Sequence, residues 1–294
     1  MKSITCETKW LNDEPGTHRG GTKPEMADAC SDCQNRTMRA VLFLIAGLTL
    51  QAQTSPEVEI RVVYDNTSAR AGVREDWGFA AVVSVGERRI LFDSGTKPGL
   101  FLENLKKLGV EAKSIEKVVI SHQHQDHRNG IYALHPLNPR MAVHFLKTFE
   151  PAAWEAAERI GMKPVAIGDG PVQLLPGVWT TGRVAGEPDE QALVVETPKG
   201  IVVMVGCSHP GVVKMVEAAE RQRGKDSVRL LLGGFHMFRQ SEAQIGAQIQ
   251  ELRRQRVQRI RPAHCTGELA HSLFEKEWGT SYGKAGAGNV IRVE

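Results

Sequence analysis

The chain has 294 residues, 41% of them hydrophobic and 24% charged, with a formal net charge of +3. It is long enough to bury a full core as one large α/β domain, while its charge is too small, and its basic residues too scattered, to argue for a nucleic-acid partner. Five cysteines exclude a disulfide scaffold.

Residues 1–37 are rich in Gly, Thr and Asp, lack apolar periodicity and carry Cys6, Cys30 and Cys33. They read as a non-native or disordered extension. Cys30-Ser31-Asp32-Cys33 has the form of half a zinc knuckle or a redox pair, but no second half follows. Met38-Arg39 then opens an apolar run over 40–50 that ends in small and polar residues by Thr54. A basic start, a short apolar stretch and a small-residue end describe a secretory signal over residues 38–53. The run falls short of the roughly 20 residues a membrane span needs, so no stable membrane anchor is expected after processing. A buried core helix fits less well, because no polar face accompanies it. Translation is therefore expected to start at Met38 and the product to be exported, periplasmic or secreted; an unprocessed run would leave it cytoplasmic. The folded domain is expected over 56–294.

Residues 58–66 alternate as a strand, and 78–86 with 89–95 read as a hairpin after the polar loop 67–77. Residues 98–108 have leucines near helical spacing, Pro98 at the start and Gly109 at the end, which predicts a helix. The apolar strand 115–120 then empties into Ser121-His122-Gln123-His124-Gln125-Asp126-His127. In extended chain, residues two apart share a side, so His122 and His124 can grip one ion together. Asp126 and His127 follow where a helix should begin and can face a second ion about 3.5–4 Å from the first. Imidazole and carboxylate suit zinc, with iron or manganese as alternatives.

A strand over 141–146 holds His144 in apolar alternation, as a core or rim histidine. A helix over 150–160 and short strands over 172–175, 178–181 and 192–196 follow. The wholly apolar 201–205 is expected at the centre of a sheet. A helix over 212–221, a strand over 228–232, a helix over 244–256 and a closing strand over 289–293 complete the chain. The basic run 253–256 reads as a solvated helix face. Three apolar strands end in histidine words: Cys207-Ser208-His209, Gly234-Phe235-His236 and His264-Cys265-Thr266-Gly267. Together with the first loop they predict one shared metal rim. Strands in antiparallel pairs, then alternating with helices in each half, suit an αββα sandwich. No Ser-His-Asp elbow, P-loop or dinucleotide glycine pattern competes for the chemistry.

The His-x-His-x-Asp-His signature resembles the metallo-β-lactamase superfamily, whose fold is this αββα sandwich. The words Asp65-Asn66-Thr67-Ser68, Glu75-Asp76-Trp77-Gly78-Phe79, Gly206-Cys207-Ser208-His209-Pro210-Gly211, Gly233-Gly234-Phe235-His236 and His264-Cys265-Thr266-Gly267 narrow the resemblance. They look like the branch similar to the dihydropterin-ribofuranosyl-aminobenzene-phosphate synthases. The resemblance implies metal ligation by His122, His124, Asp126, His127 and His264, with Asp93 bracing the metal loop from behind. Cys207 stands where the superfamily usually has a bridging Asp. With no separate third-motif histidine between Leu146 and Val205, His209 is expected to serve in its place. Gln125 replaces a bulky residue and Asn129 a glycine of the usual pattern, altering the substrate rim without removing a ligand.

The expected activity is metal-activated water or hydroxide attacking an ester, amide, lactone or phosphoester of a small-molecule substrate. Two zinc ions are the expected cofactor. Asp126 would orient or deprotonate the water, and His236, with His144 as a second candidate, would steady developing negative charge. A pterin-type transferase and a metal-binding redox or non-catalytic protein are the other two readings. Nothing in the sequence fixes the oligomeric state. If the signal reading is right, N-terminal sequencing of protein exported from a native-like host begins close to Gln53; full-length protein beginning at Met1 in the cytosol refutes it.

Overall fold

The structure, a computed structural model, describes residues 57–223 and 227–293. The expected extension and signal segment lie outside the described residues.

Among the described residues the chain forms two sheets. The first is seven-stranded in the order β13-β1-β2-β3-β4-β5-β6, and the second six-stranded in the order β12-β11-β10-β9-β8-β7. Strands β1 (Val58–Tyr64), β2 (Ala80–Val85) and β3 (Arg88–Phe92) pair antiparallel, as the hairpin pattern predicts. Strands β4 (Ile115–Val119), β5 (Ala142–Leu146) and β6 (Val165–Ile167) then add in parallel. The second sheet begins antiparallel with β7 (Val172–Leu175), β8 (Val178–Thr180), β9 (Leu193–Thr197) and β10 (Gly200–Val205). It ends parallel with β11 (Val228–Gly234) and β12 (Ile260–Ala263). Strand β13 (Val290–Val293) returns to pair with β1.

The layering follows from side-chain alternation along each strand. Val58, Ile60 and Val62 of β1 join Phe92, Val119, Met204 and Leu232 in a core between the sheets. The opposite face of the first sheet, with Val82, Leu91 and Val118, packs on helix α1 (Pro98–Lys107), helix α4 (Pro151–Glu158) and the short turn α3 (Ile131–Leu134), which follows the turn α2 (Gln125–Arg128). Val203, Val205 and Leu231 form the third core, under helices α5 (Val212–Arg223), α6 (Glu242–Arg254) and α7 (Glu268–Trp278). Strand β10 is buried on both faces, so its unbroken apolar run is what a middle strand requires. This is the αββα sandwich.

Three expectations change. Helix α6 starts two residues early, because Ser241 and Gln244 form a reciprocal capping box that fixes its first turn. Residues 268–278 carry no expected element, yet form α7, whose buried Ala270, Phe274 and Trp278 recur every four residues. The basic run is only partly a solvated face. Arg253 is bonded to Glu277 and lies 4.2 Å over the Trp278 ring, and Gln255 is buried beyond the helix end.

Phe274 is fully buried against Phe235 and Trp278, so Phe274→Ala is expected to cost about 3–5 kcal/mol of stability, read as a lower denaturant midpoint.

Candidate metal centre

Strand β3 ends at Asp93, fully buried and held at a φ of 57°. Its Oδ1 accepts the Ser121 N–H at 2.7 Å, and its Oδ2 accepts the Ser121 hydroxyl at 2.8 Å. Oδ2 also stands 2.7 Å from His127 Nδ1. One carboxylate thus grips both ends of the loop that leaves β4.

The ring nitrogens are aimed by what lies behind them. His122 Nδ1 is 2.9 Å from Ser121 Oγ, and its Nε2 faces His124 Nδ1 at 3.2 Å. His127, anchored on Asp93, points Nε2 at His264 Nε2 (3.3 Å) and at Cys207 Sγ (3.2 Å). His264 Nδ1 meets Asn66 Oδ1 at 3.0 Å, while its backbone N–H donates to Asp65 Oδ1 at 2.8 Å. Each anchored ring offers its other nitrogen to a common space.

Two three-donor groups result, each with ligand atoms within 4.8 Å of one another: His122, His124 and His209, and Asp126, His127 and His264. Cys207 falls within the same reach of His122 and His127, of His209 and His236, and of His264 and Cys265. The sequence-expected ligands therefore all come together, with His209 completing the first trio and Cys207 between the two.

Electrostatics fit the same purpose. Burial, reinforced by His236 and His124, pushes His209 down to about 3. Burial also lowers His122, with His127 and His209 adding to it. Burial works against the proton of His127, but the Asp93 charge outweighs it and lifts this ring to about 9. Asp126 is opposed by burial yet held well below the usual carboxylate range by His264 and the charge of His127. Burial pushes the Cys207 thiol up. Converging imidazoles that cannot all hold protons, together with an anionic carboxylate, form a site for a cation. His209 Nε2 is buried without a hydrogen-bond partner, which also points to a missing electrophile. The residues present fit divalent metal.

Two supports escape sequence reasoning. Glu190 is fully buried; its Oε1 accepts the N–H groups of Gly206, Cys207 and Ser208 at 2.8–3.0 Å, and its Oε2 accepts that of His209 at 2.9 Å. Burial raises this carboxyl to about 7, against the pull of those N–H groups. Asp65 and Asn66 serve His264 in the same way, so the Asp-Asn word of the sequence acquires a role. Two glycines allow the approach. A Cβ on Gly206 would lie 2.1 Å from Ser121 Oγ, and one on Gly130 would lie 2.1 Å from the Ser94 carbonyl. Gly130 makes the close contact in this turn, while Asn129 has an ordinary helical φ of −68°.

His236 sits beside the trio, its ring 4.5 Å from that of His209. His144 does not join: its Nδ1 donates to the Val118 carbonyl at 2.9 Å inside the first sheet. Trp77 (52% exposed) lies 4.7 Å from the His264 ring, and Phe238 (48% exposed) 5.1 Å from that of His236. A cleft of about 460 Å³ opens on the His124 side, lined by Gln123, Thr148, Phe149, Glu187 and Asp189 among others.

The model of the metallo-β-lactamase superfamily matches residues 77–216. A solved metal-dependent hydrolase of the β-lactamase superfamily is 25% identical, with a TM-score of 0.65, covering 81% of this chain and 99% of that one. The chain has the metallo-β-lactamase fold, and its residues 77–216 match that superfamily. A metallo-β-lactamase fold protein of Bacillus subtilis, 15% identical, shares the fold at a TM-score of 0.59 over 81% of this chain and all of that one. Among curated relatives, a 7,8-dihydropterin-6-methyl-4-(β-D-ribofuranosyl)-aminobenzene-5′-phosphate synthase of Methanocaldococcus jannaschii is 28% identical over 252 residues, 70% of this chain and 85% of that protein. An uncharacterized protein of the same organism is 25% identical over 259 residues, 77% of this chain and 98% of that one. The turn after β10 places a thiol, Cys207, within ligand reach of both trios.

If Cys207 ligates, its modification by a thiol reagent is slow in metal-loaded protein and accelerates on chelation, read by peptide mapping. A rate indifferent to chelation counts against ligation.

Proposed function

We propose that the chain is a metal-dependent hydrolase of an ester, amide, lactone or phosphoester in a small molecule. It would hold two ions, one on His122, His124 and His209 and one on Asp126, His127 and His264, with Cys207 shared. The observation that carries this reading is the convergence of these two trios at strand ends beside an open cleft. Mixed imidazole and thiolate donors favour zinc, and iron is the better alternative, since manganese prefers harder oxygen ligands.

Bound divalent ions supply a water acidified enough to attack at neutral pH and a Lewis acid for the scissile carbonyl or phosphoryl group. Asp126, ionised and half-buried, is placed to orient that water and accept its proton. The backbone N–H groups of 206–209 are spent on Glu190 and cannot stabilise an oxyanion. His236, whose proton is favoured by its hydrogen bond with Cys265, is the remaining donor at the rim for developing negative charge. Trp77 and Phe238 are the exposed rings a substrate body would meet.

The synthase reading is favoured by one observation, the 28% identity to the Methanocaldococcus protein over most of that protein's length. Export over residues 38–53 would separate the chain from a cytosolic pterin pathway, and so supports hydrolysis. Pterin ribosyl compounds assayed beside ester and phosphoester panels separate the two by their products.

Unequal losses test the two-ion arrangement. His122→Ala removes an imidazole from the first trio and is expected to lose much bound metal and all turnover. Asp126→Ala is expected to keep close to one ion per chain while turnover falls about 10²–10⁴-fold, the range for a positioned acid–base group. Mass-spectrometric metal content and ester hydrolysis are the readouts. Full metal and normal turnover in both variants remove this loop from the active site.

A further inference from the structure

The first trio is assembled across the divide between the sheets: His122 and His124 leave β4 of the first, His209 follows β10 of the second. One dipeptide touches both sides of that divide. Glu190 takes the four consecutive N–H groups of 206–209, and so fixes the turn that presents Cys207 and His209. Its neighbour Gln191 reaches the other way. Gln191 N–H donates to the Ser121 carbonyl at 2.9 Å, and its Nε2 donates to the Ile120 carbonyl at 2.8 Å, immediately before His122. Glu190 is itself pinned by paired backbone bonds with Val184. The second trio has a different support: His264 is held through Asp65 and Asn66, which touch neither Glu190 nor the 206–209 turn in any of these bonds.

We propose that Glu190, with Gln191, is a positioning residue that acts most strongly on the first ion, to which its turn brings both His209 and the shared Cys207, and less on the second, to which it brings Cys207 alone, whereas Asp65 and Asn66 set the second through His264. Glu190 touches neither substrate nor ion; it acts through the turn. A carboxylate is required because all four groups it faces are donors. An amide at this position would turn an NH₂ against one of them, leaving at least one N–H unpaired and releasing the turn. Supporting partners of metal ligands change metal affinity by about 10–100-fold when removed. The consequence is a separation of the two ions by mutations that touch no ligand.

This inference rests on the two-ion reading, and the experiment keeps the failures apart. Full-length wild type, Glu190→Gln, Glu190→Asp and Asn66→Ala are titrated with zinc in the presence of a competing chromophoric chelator, with circular dichroism and melting recorded alongside. Wild type is expected to bind two ions. Glu190→Gln is expected to weaken one of them by about 10–100-fold and the other distinctly less, with Glu190→Asp, which retains the charge on a shorter stem, falling between. Asn66→Ala is expected to weaken the other ion, so that the double variant Glu190→Gln/Asn66→Ala weakens both. A wild type that binds no zinc overturns the metal reading itself. Two ions of unchanged affinity in folded Glu190→Gln, or both ions weakened equally, overturns the role of Glu190 alone. Loss of folding in both Glu190 variants assigns the residue to the scaffold and overturns it as well.

Discussion

A buried carboxylate must find donors or be expelled from its charged form, and Asp93 is where that constraint is met at greatest consequence. Its partners are not conveniently local: Ser121 lies 28 residues on and His127 34. Satisfying Asp93 therefore closes the β4 loop into one shape, with His122 and His127 turned towards the same space. Glu190 repeats the device beneath the 206–209 turn of the second sheet, and Asp65, just past β1 of the first, repeats it beneath His264. Three acids, none within the two trios, sit beneath the loops that carry the donors.

The strain in the backbone gathers at the same places. Of the five non-glycine residues with positive φ among the described residues, four, Asp93, Ser208, His236 and His264, follow the end of a strand at the centre, and the fifth, Arg256, follows helix α6. Side chains avoid that region unless their surroundings over-determine it. Here the surroundings are hydrogen bonds: Ser208 Oγ donates to the Gly234 carbonyl, and the His264 N–H donates to Asp65. The strands are stiff and deeply buried, so they hold these turns against relaxation.

The loop 121–127 was legible because its donors are neighbours in the chain, and period two along a strand says which of them share a side. The layering was legible for the same reason, since β10 reads as unbroken apolar sequence and β1 as alternation. His209 was expected only through the resemblance, which calls for a further motif histidine that no residue between Leu146 and Val205 supplies. Glu190 left no trace, because it binds backbone N–H groups, which every residue carries, and its partners lie 16–19 residues away. Helix α7 did leave a signal, Ala270, Phe274 and Trp278 at spacing four, but its N-cap is Gly267, which makes no side-chain cap to announce the start. Asp65 and Asn66 were visible as a word and invisible as a support, since His264 is about two hundred residues distant in the chain.

Strand β13 is made last among the described elements, yet it belongs to the sheet made first, lying against β1 on the side away from β2. During synthesis the outer edge of β1, with Val58 and Ile60 along it, waits with its backbone groups unpaired while some two hundred residues are added. An open edge of this kind is a template for another chain. Residues 290–293 thus act as a protective selvage: their removal leaves the core of the first sheet built but its margin open to pairing between molecules, with the metal-ligand loops themselves untouched.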